Sequence, residues 1–207
     1  MSVFWPEGGQ AEKMAKQLWQ PTTTLAPIPA VLVSCGDLAH PNVLTVAWTG
    51  IVNTKPAMTY VSLQPTRYSY ELIAQSGEFV INLVPQNLVR AADFCGVRSG
   101  RDVDKFAACA LTPQKMPHLS APGICECPVQ LECRVHQRIA LGSHEMFLAK
   151  ICGVLVEDSL MDASGKMHME RAHLAAYAHG AYYALGRQLG TFGFSVRKKC
   201  IQNSEKK

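Results

Sequence analysis

Arg67 stands between two hydroxyl residues, Thr66 and Ser69, where an extended stretch gives way to a short helix. Pro65 precedes Thr66, a residue type that caps helices, and Ser76-Gly77 supplies a stop after Leu72 and Ile73. A helix beginning there presents unpartnered backbone N–H groups, two hydroxyls and a guanidinium at one point. Those groups together bind phosphate, through the positive end of the helix dipole, free donors and a forked cation. The same residues also suit an ordinary capped helix with Arg67 in solvent, so the helix start alone does not decide.

The stretch just upstream tips the balance. Residues 42–51, NVLTVAWTGI, alternate as one strand with Thr45, Ala47 and Thr49 on one face and Leu44, Val46 and Trp48 on the other. A face of small groups lets a flat ring approach the backbone. A ring groove beside a phosphate-binding helix start describes a mononucleotide site. Residues 57–64, AMTYVSLQ, form the next strand and lead directly into the Arg67 segment. Further on, Arg98, Ser99, Gly100, Arg101 and Lys105 cluster closely enough to complete an anion site from the opposite side. A solvated loop is the plainer reading of that cluster. Asn82, a lone polar residue in the apolar strand EFVINLV, suits either a structural hydrogen bond or a contact to the groove.

These residues need a rigid frame, and 207 residues are enough for one domain with a substantial core. No run reaches about 18 apolar residues, so no membrane span is expected. No secretory signal is visible at the N-terminus, which points to the cytoplasm. The formal charge of +4 lies in the tail: residues 197–207 hold five Lys/Arg and one Glu, which leaves the rest neutral. A nucleic-acid binder would carry a basic patch on its folded body, so that class is set aside.

Eight cysteines, at 35, 95, 109, 125, 127, 133, 152 and 200, are expected as reduced thiols. The spacing of Cys125, Cys127 and Cys133 does not match paired zinc ligands; alternating strand positions are expected, and no metal.

Along the chain, residues 9–19 read as a short helix and 30–36 as a strand buried on both faces. Gln86–Cys95 reads as a helix with Leu88, Ala91, Ala92 and Cys95 on one stripe. Two long antiparallel strands follow, joined near Leu141-Gly142-Ser143-His144. Residues 170–178 are expected to be helical. About six strands with helical insertions suggest a mainly β, antiparallel, barrel-like domain. The chain has no GxGxxG and no regular alternation of strands with long helices, so a doubly wound sheet is disfavoured.

The ordered set NVLTVAWTG, VSLQPTRYSYELI, GEFVINLV, SGRDVDKF, SHEMFLAKI and YYALGRQLGTFGFSVRK resembles the flavin reductase-like, FMN-binding split-barrel proteins, within them the flavoredoxin group. The resemblance covers residues 27–197, leaving 1–26 as an N-terminal helical extension and 198–207 as a basic tail. It implies a six-stranded antiparallel split β-barrel, homodimeric, binding FMN without a covalent bond.

By that resemblance the ring lies along Thr45, Val46, Ala47, Trp48 and Thr49, with Ser62 near the ring or ribityl chain. Arg67, Tyr68 and Ser69 match the phosphate-contacting stretch. Asn82, Ser99, Gly100 and Lys105 match positions that border the cofactor, and His144 is implied near the flavin or the nicotinamide as the catalytic candidate. The implied activity is hydride acceptance from NAD(P)H onto FMN, with electrons passed to a flavin, oxygen or a redox protein. The alternative is an electron-transfer protein reduced by another redox protein, without nicotinamide activity, and a third is a non-enzymatic, thiol-rich metal or interaction module. The choice of nicotinamide and of acceptor is open at this level.

Overall fold

A computed structural model describes residues 16–197. Seven strands form the main sheet: β1 (Val31–Gly36), β2 (Pro41–Val46), β3 (Thr49–Thr54), β4 (Ala57–Leu63), β5 (Glu78–Leu83), β6 (Val129–Ala140) and β7 (Glu145–Val156). Their order is β2-β1-β5-β6-β7-β4-β3, antiparallel throughout. The two outermost strands, β2 and β3, are therefore consecutive in the chain, separated only by Ala47 and Trp48.

This is where the expected single strand 42–51 fails. Alternation continues through Ala47 and Trp48, but the backbone leaves one edge of the sheet there and enters the other. The Ser62 N–H of β4 donates to the Trp48 carbonyl at 3.0 Å, so the β3–β4 pairing begins at Trp48, directly after the crossing. One expected strand is thus two, and the sheet curls into a split barrel.

The barrel interior follows from period-two alternation. Val31, Val33 and Cys35 of β1 meet Phe79 and Ile81 of β5 and Phe147 of β7 inside, all essentially inaccessible to water. Leu32 and Val43 point the other way, onto Ala92, Cys95 and Phe106, so β1 is buried on both faces as its apolar run suggested. The outer cover consists of helix α2 (Val89–Val97), the one-turn α3 (Lys105–Ala108) and the following loop. Helix α1 (Tyr68–Ser76) seals one end of the barrel with Ile73, and Gly77 ends it in the left-handed region at φ 68°, its N–H donating to the Ile73 carbonyl.

β6 and β7 form the long hairpin expected, with Gly142 at φ 91° in its turn. The pairing slips between Ile151 and Gly153, and the reason lies on β6. The carboxylate of Glu132, fully buried, fills the space a side chain at 153 would take. It accepts from the His118 N–H at 2.8 Å and contacts His118 Nδ1 at 2.6 Å. A Cβ at Gly153 would stand 2.3 Å from Glu132 Oε2. Gly153→Ala is expected to lower unfolding stability by about 1–3 kcal/mol, the usual range for overpacking a filled interior, as read from urea melts.

One expected helix falls mostly outside the described residues, and another is not found as such. Residues 16–19 of the 9–19 segment have no regular structure, and the rest of that segment lies outside the described residues, as does the basic tail. In the 170–178 segment only Met169–Ala172 make a helical turn. His173 turns into the left-handed region, and Ala175–Ala178 pair as a strand with Ala181–Ala184 and with Ile28–Pro29. Cys125 and Cys127 lie in the turn before β6 rather than alternating along a strand; Cys127 is buried and Cys125 exposed. No helix among the described residues is long and apolar enough to cross a membrane.

Candidate functional site

Two hollows meet where the barrel splits. The first, about 200 Å³, lies between the start of α1 and the end of α2. Arg67, Tyr68 and Ser69 line it on the α1 side, and Arg98, Ser99 and Gly100 on the other. Lys105 and Cys95 form part of its wall. The second, about 160 Å³, opens along the β2–β3 break, lined by Val46, Ala47, Trp48, Ser62 and His144. Leu44, Thr45, Gln64 and Arg67 border both, so they form one continuous groove.

The start of α1 is not the cap drawn from the sequence. Arg67, not Thr66, occupies the capping position, with extended backbone (φ −73°, ψ 136°) and no side-chain cap. The first-turn N–H groups of Tyr68 and Ser69 thus have no intrahelical acceptor. The Ser69 hydroxyl faces inward, where it accepts from Asn42 Nδ2 at 2.6 Å. Asn42 also packs against Gly100: a Cβ there would stand 2.0 Å from its Oδ1. Glycine at 100 is what lets the 98–101 loop close on β2.

Arg67 is solvent-accessible at the mouth, where its Nη1 donates to the Gly96 carbonyl at 3.2 Å. Arg101 is occupied elsewhere: it pairs with Glu71, donates to the Thr66 carbonyl at 3.1 Å and lies over the Tyr68 ring. Lys105 carries the decisive electrostatics. It is only 4% exposed, and its Nζ donates to the carbonyls of Val43 and Cys95, both at 2.9 Å. Among the described residues no carboxylate pairs with it. Burial pulls its pKa down, and the Arg67 guanidinium adds to that. An ammonium held dry with a second cation beside it is compensated when an anion enters.

At the other end, Trp48 and His144 stack at 4.4 Å between ring centroids, tilted by 43°, and Ser143 Oγ contacts His144 Nδ1 at 3.0 Å. The hydroxyls of Thr45 and Thr49 are engaged with backbone, Thr45 with Ala92 and Thr49 with the Tyr60 carbonyl at 2.6 Å. Along this stretch the groove therefore offers main chain, small side chains and the Ser62 hydroxyl.

Two expected site residues are not brought to it. Thr49 begins β3 and lines neither hollow. Asn82 is fully buried on β5: its Nδ2 donates to the Leu32 carbonyl and Ser34 Oγ, both at 2.9 Å, and its Oδ1 accepts from Ile124 N–H at 3.0 Å. Asn82 is a structural hydrogen-bonder. Conversely, Gln64, Cys95 and Gly96 line the groove without having been assigned to it, and Thr66 and Arg98, named in the phosphate and cation clusters, line it too.

A split barrel with an anion hollow running into a flat groove at its seam is a mononucleotide-binding barrel. The chain belongs to the flavin reductase like domain family, whose model matches residues 24–186. The flavoredoxin of Desulfovibrio vulgaris (Miyazaki F) superposes with a TM-score of 0.82 at 31% identity, covering 88% of this chain and 100% of that one. Flavoredoxin from Methanosarcina acetivorans gives 0.79 at 25% identity over the same shares. An uncharacterized protein of Archaeoglobus fulgidus is 30% identical over 138 residues, 67% of this chain and 77% of its own.

Proposed function

We propose that the protein is an FMN-dependent oxidoreductase that takes electrons from NAD(P)H and delivers them to a flavin, oxygen or protein acceptor. The observation that carries the FMN reading is the buried, carboxylate-free Lys105 beside Arg67, because a single phosphate monoester would neutralise both. Lys105, Arg67, Ser99 and the first-turn N–H groups of α1 would hold that phosphate. The main chain at Val46, Ala47 and Trp48, with Ser62, would hold the ring. When bound, FMN supplies reversible two-electron chemistry, and the protein supplies position and charge.

His144 and Trp48 wall the ring end of the groove. Their stack keeps the imidazole over the opening, where it orients an incoming nicotinamide and excludes water. The main-chain N–H groups facing the groove would stabilise negative charge on a reduced ring. A homodimer is proposed because β3 presents Ile51 and Val52 to solvent at 65% and 49% exposure, next to the seam. A reducing, cytoplasmic setting agrees with the free thiols among the described residues.

The likeness to flavoredoxins favours a second reading, in which another redox protein, and not a nicotinamide, is the donor. Purified protein is expected to be yellow and to bleach on anaerobic mixing with NADH or NADPH. A yellow protein that neither nicotinamide bleaches is the second reading's outcome, and a colourless one that takes up no FMN ends both. In the same assay His144→Ala is expected to slow bleaching about 2- to 10-fold with FMN retained, the kinetic equivalent of an aromatic pair worth about 0.5–1.5 kcal/mol. Unchanged bleaching would remove His144 from the nicotinamide side.

A further inference from the structure

Cys95 and Cys109 lie with their sulfurs 3.9 Å apart, the one cysteine pair in such contact among the described residues. Their placement is not incidental to the site. Cys95 is on α2, buried, and lines the anion hollow; Cys109 ends α3 and is partly exposed. Lys105 and Cys109 sit at i and i+4, so one turn presents both on the same side. The Lys105 ammonium holds the Cys95 carbonyl while the Cys109 thiol meets the Cys95 thiol.

We propose that Cys95 and Cys109 form an oxidisable dithiol in the wall of the anion hollow, with a hydroperoxide as its oxidant. A disulfide needs the sulfurs at about 2.05 Å, so a side-chain rotation at the half-exposed Cys109 must close the remaining gap. The two thiols have different parts. Burial, reinforced by the neighbouring thiol, pushes Cys95 up to about 12, so the accessible Cys109 is the one that meets oxidant.

The Cys109 thiolate attacks one peroxide oxygen; the O–O bond breaks, and hydroxide leaves and is protonated to water. The sulfenic acid formed at Cys109 is then attacked by the Cys95 sulfur. The S–O bond breaks, and the departing hydroxide leaves as water with the Cys95 proton. Two thiols and one hydrogen peroxide give one disulfide and two waters. The bond would fasten α3 to α2 at the level of Lys105.

The test is chemical mapping of the purified protein, flavin included, after treatment with one equivalent of hydrogen peroxide. The expected result is loss of two free thiols and a linkage between tryptic peptides 91–98 and 106–115, reversed by dithiothreitol. Cys109→Ser and Cys109→Ala should each keep Cys95 alkylatable under the same treatment. The proposal is overturned if both thiols stay reduced in the wild type, if the linkage joins other cysteines, or if the Cys109 variants lose the same thiols. None of these readouts depends on flavin activity.

Discussion

Lys105→Met protein is expected to bind FMN at least tenfold more weakly while its unliganded fold is no less stable than the wild type, within about 1 kcal/mol. A charge-assisted hydrogen bond contributes about 1.5–3 kcal/mol, so its loss from a dry site corresponds to roughly 10- to 150-fold in affinity. The unliganded protein responds differently because it already bears the cost of burying that ammonium. Methionine removes the cost, leaves the Val43 and Cys95 carbonyls without a donor, and roughly preserves volume.

The pH dependence has a matching sign. With its pKa below the ordinary 10.5 in the fold, Lys105 binds fewer protons folded than unfolded in the window between its lowered value and 10.5. Its contribution to the stability of unliganded protein therefore rises with pH through that window, while affinity for a phosphate falls. Isothermal titration with FMN and urea melts of flavin-free protein measure the two quantities separately. A variant that melts several kcal/mol lower while binding FMN normally would make Lys105 a structural residue and leave the anion unexplained.

Arg67→Ala is expected to weaken FMN binding about 10- to 30-fold, the lower part of the range for a charge-assisted contact, because Arg67 is exposed and water screens it. Arg67→Lys should recover only part of that loss, since an ammonium cannot offer the paired donors of a guanidinium. Raising salt should narrow the gap between wild type and Arg67→Ala, whereas the Lys105→Met deficit should persist. Salt-independent behaviour of Arg67, or a fully yellow Arg67→Ala protein, would place this side chain outside the phosphate's reach.

What could be read from the residues was the local grammar. Short apolar runs marked β1 and β5, alternation marked the long hairpin, and Gly77 marked the end of α1. The Arg67–Ser69 and Ser99–Lys105 segments are far apart in sequence, yet both reach one hollow. What could not be read was whatever tertiary contact decides. Nothing in NVLTVAWTGI reports that the chain changes edges at Ala47-Trp48, because side-chain alternation persists through the break. The alanines of 170–178 favour a helix by propensity, but pairing with Ala181–Ala184 overrides it. Asn82 and Ser69 resemble ligand contacts in sequence, and only their satisfied hydrogen bonds reveal Asn82 as frame and the Ser69 hydroxyl as a brace to Asn42. The charge of Lys105 was legible; its isolation from carboxylates was not.

The seam between the outermost strands of the sheet is crossed by the chain itself at Ala47-Trp48, and the groove runs beside that crossing, lined by Leu44, Thr45 and Val46 of β2 and by Ser62 and Leu63 of β4. A molecule lodged there touches both margins of the opening and acts as a dowel across it. The cylinder's rigidity is then partly borrowed from its occupant. Emptying the groove would let the barrel breathe at this one joint while the β5–β6 side stays shut, so cofactor loss and local loosening would be a single event.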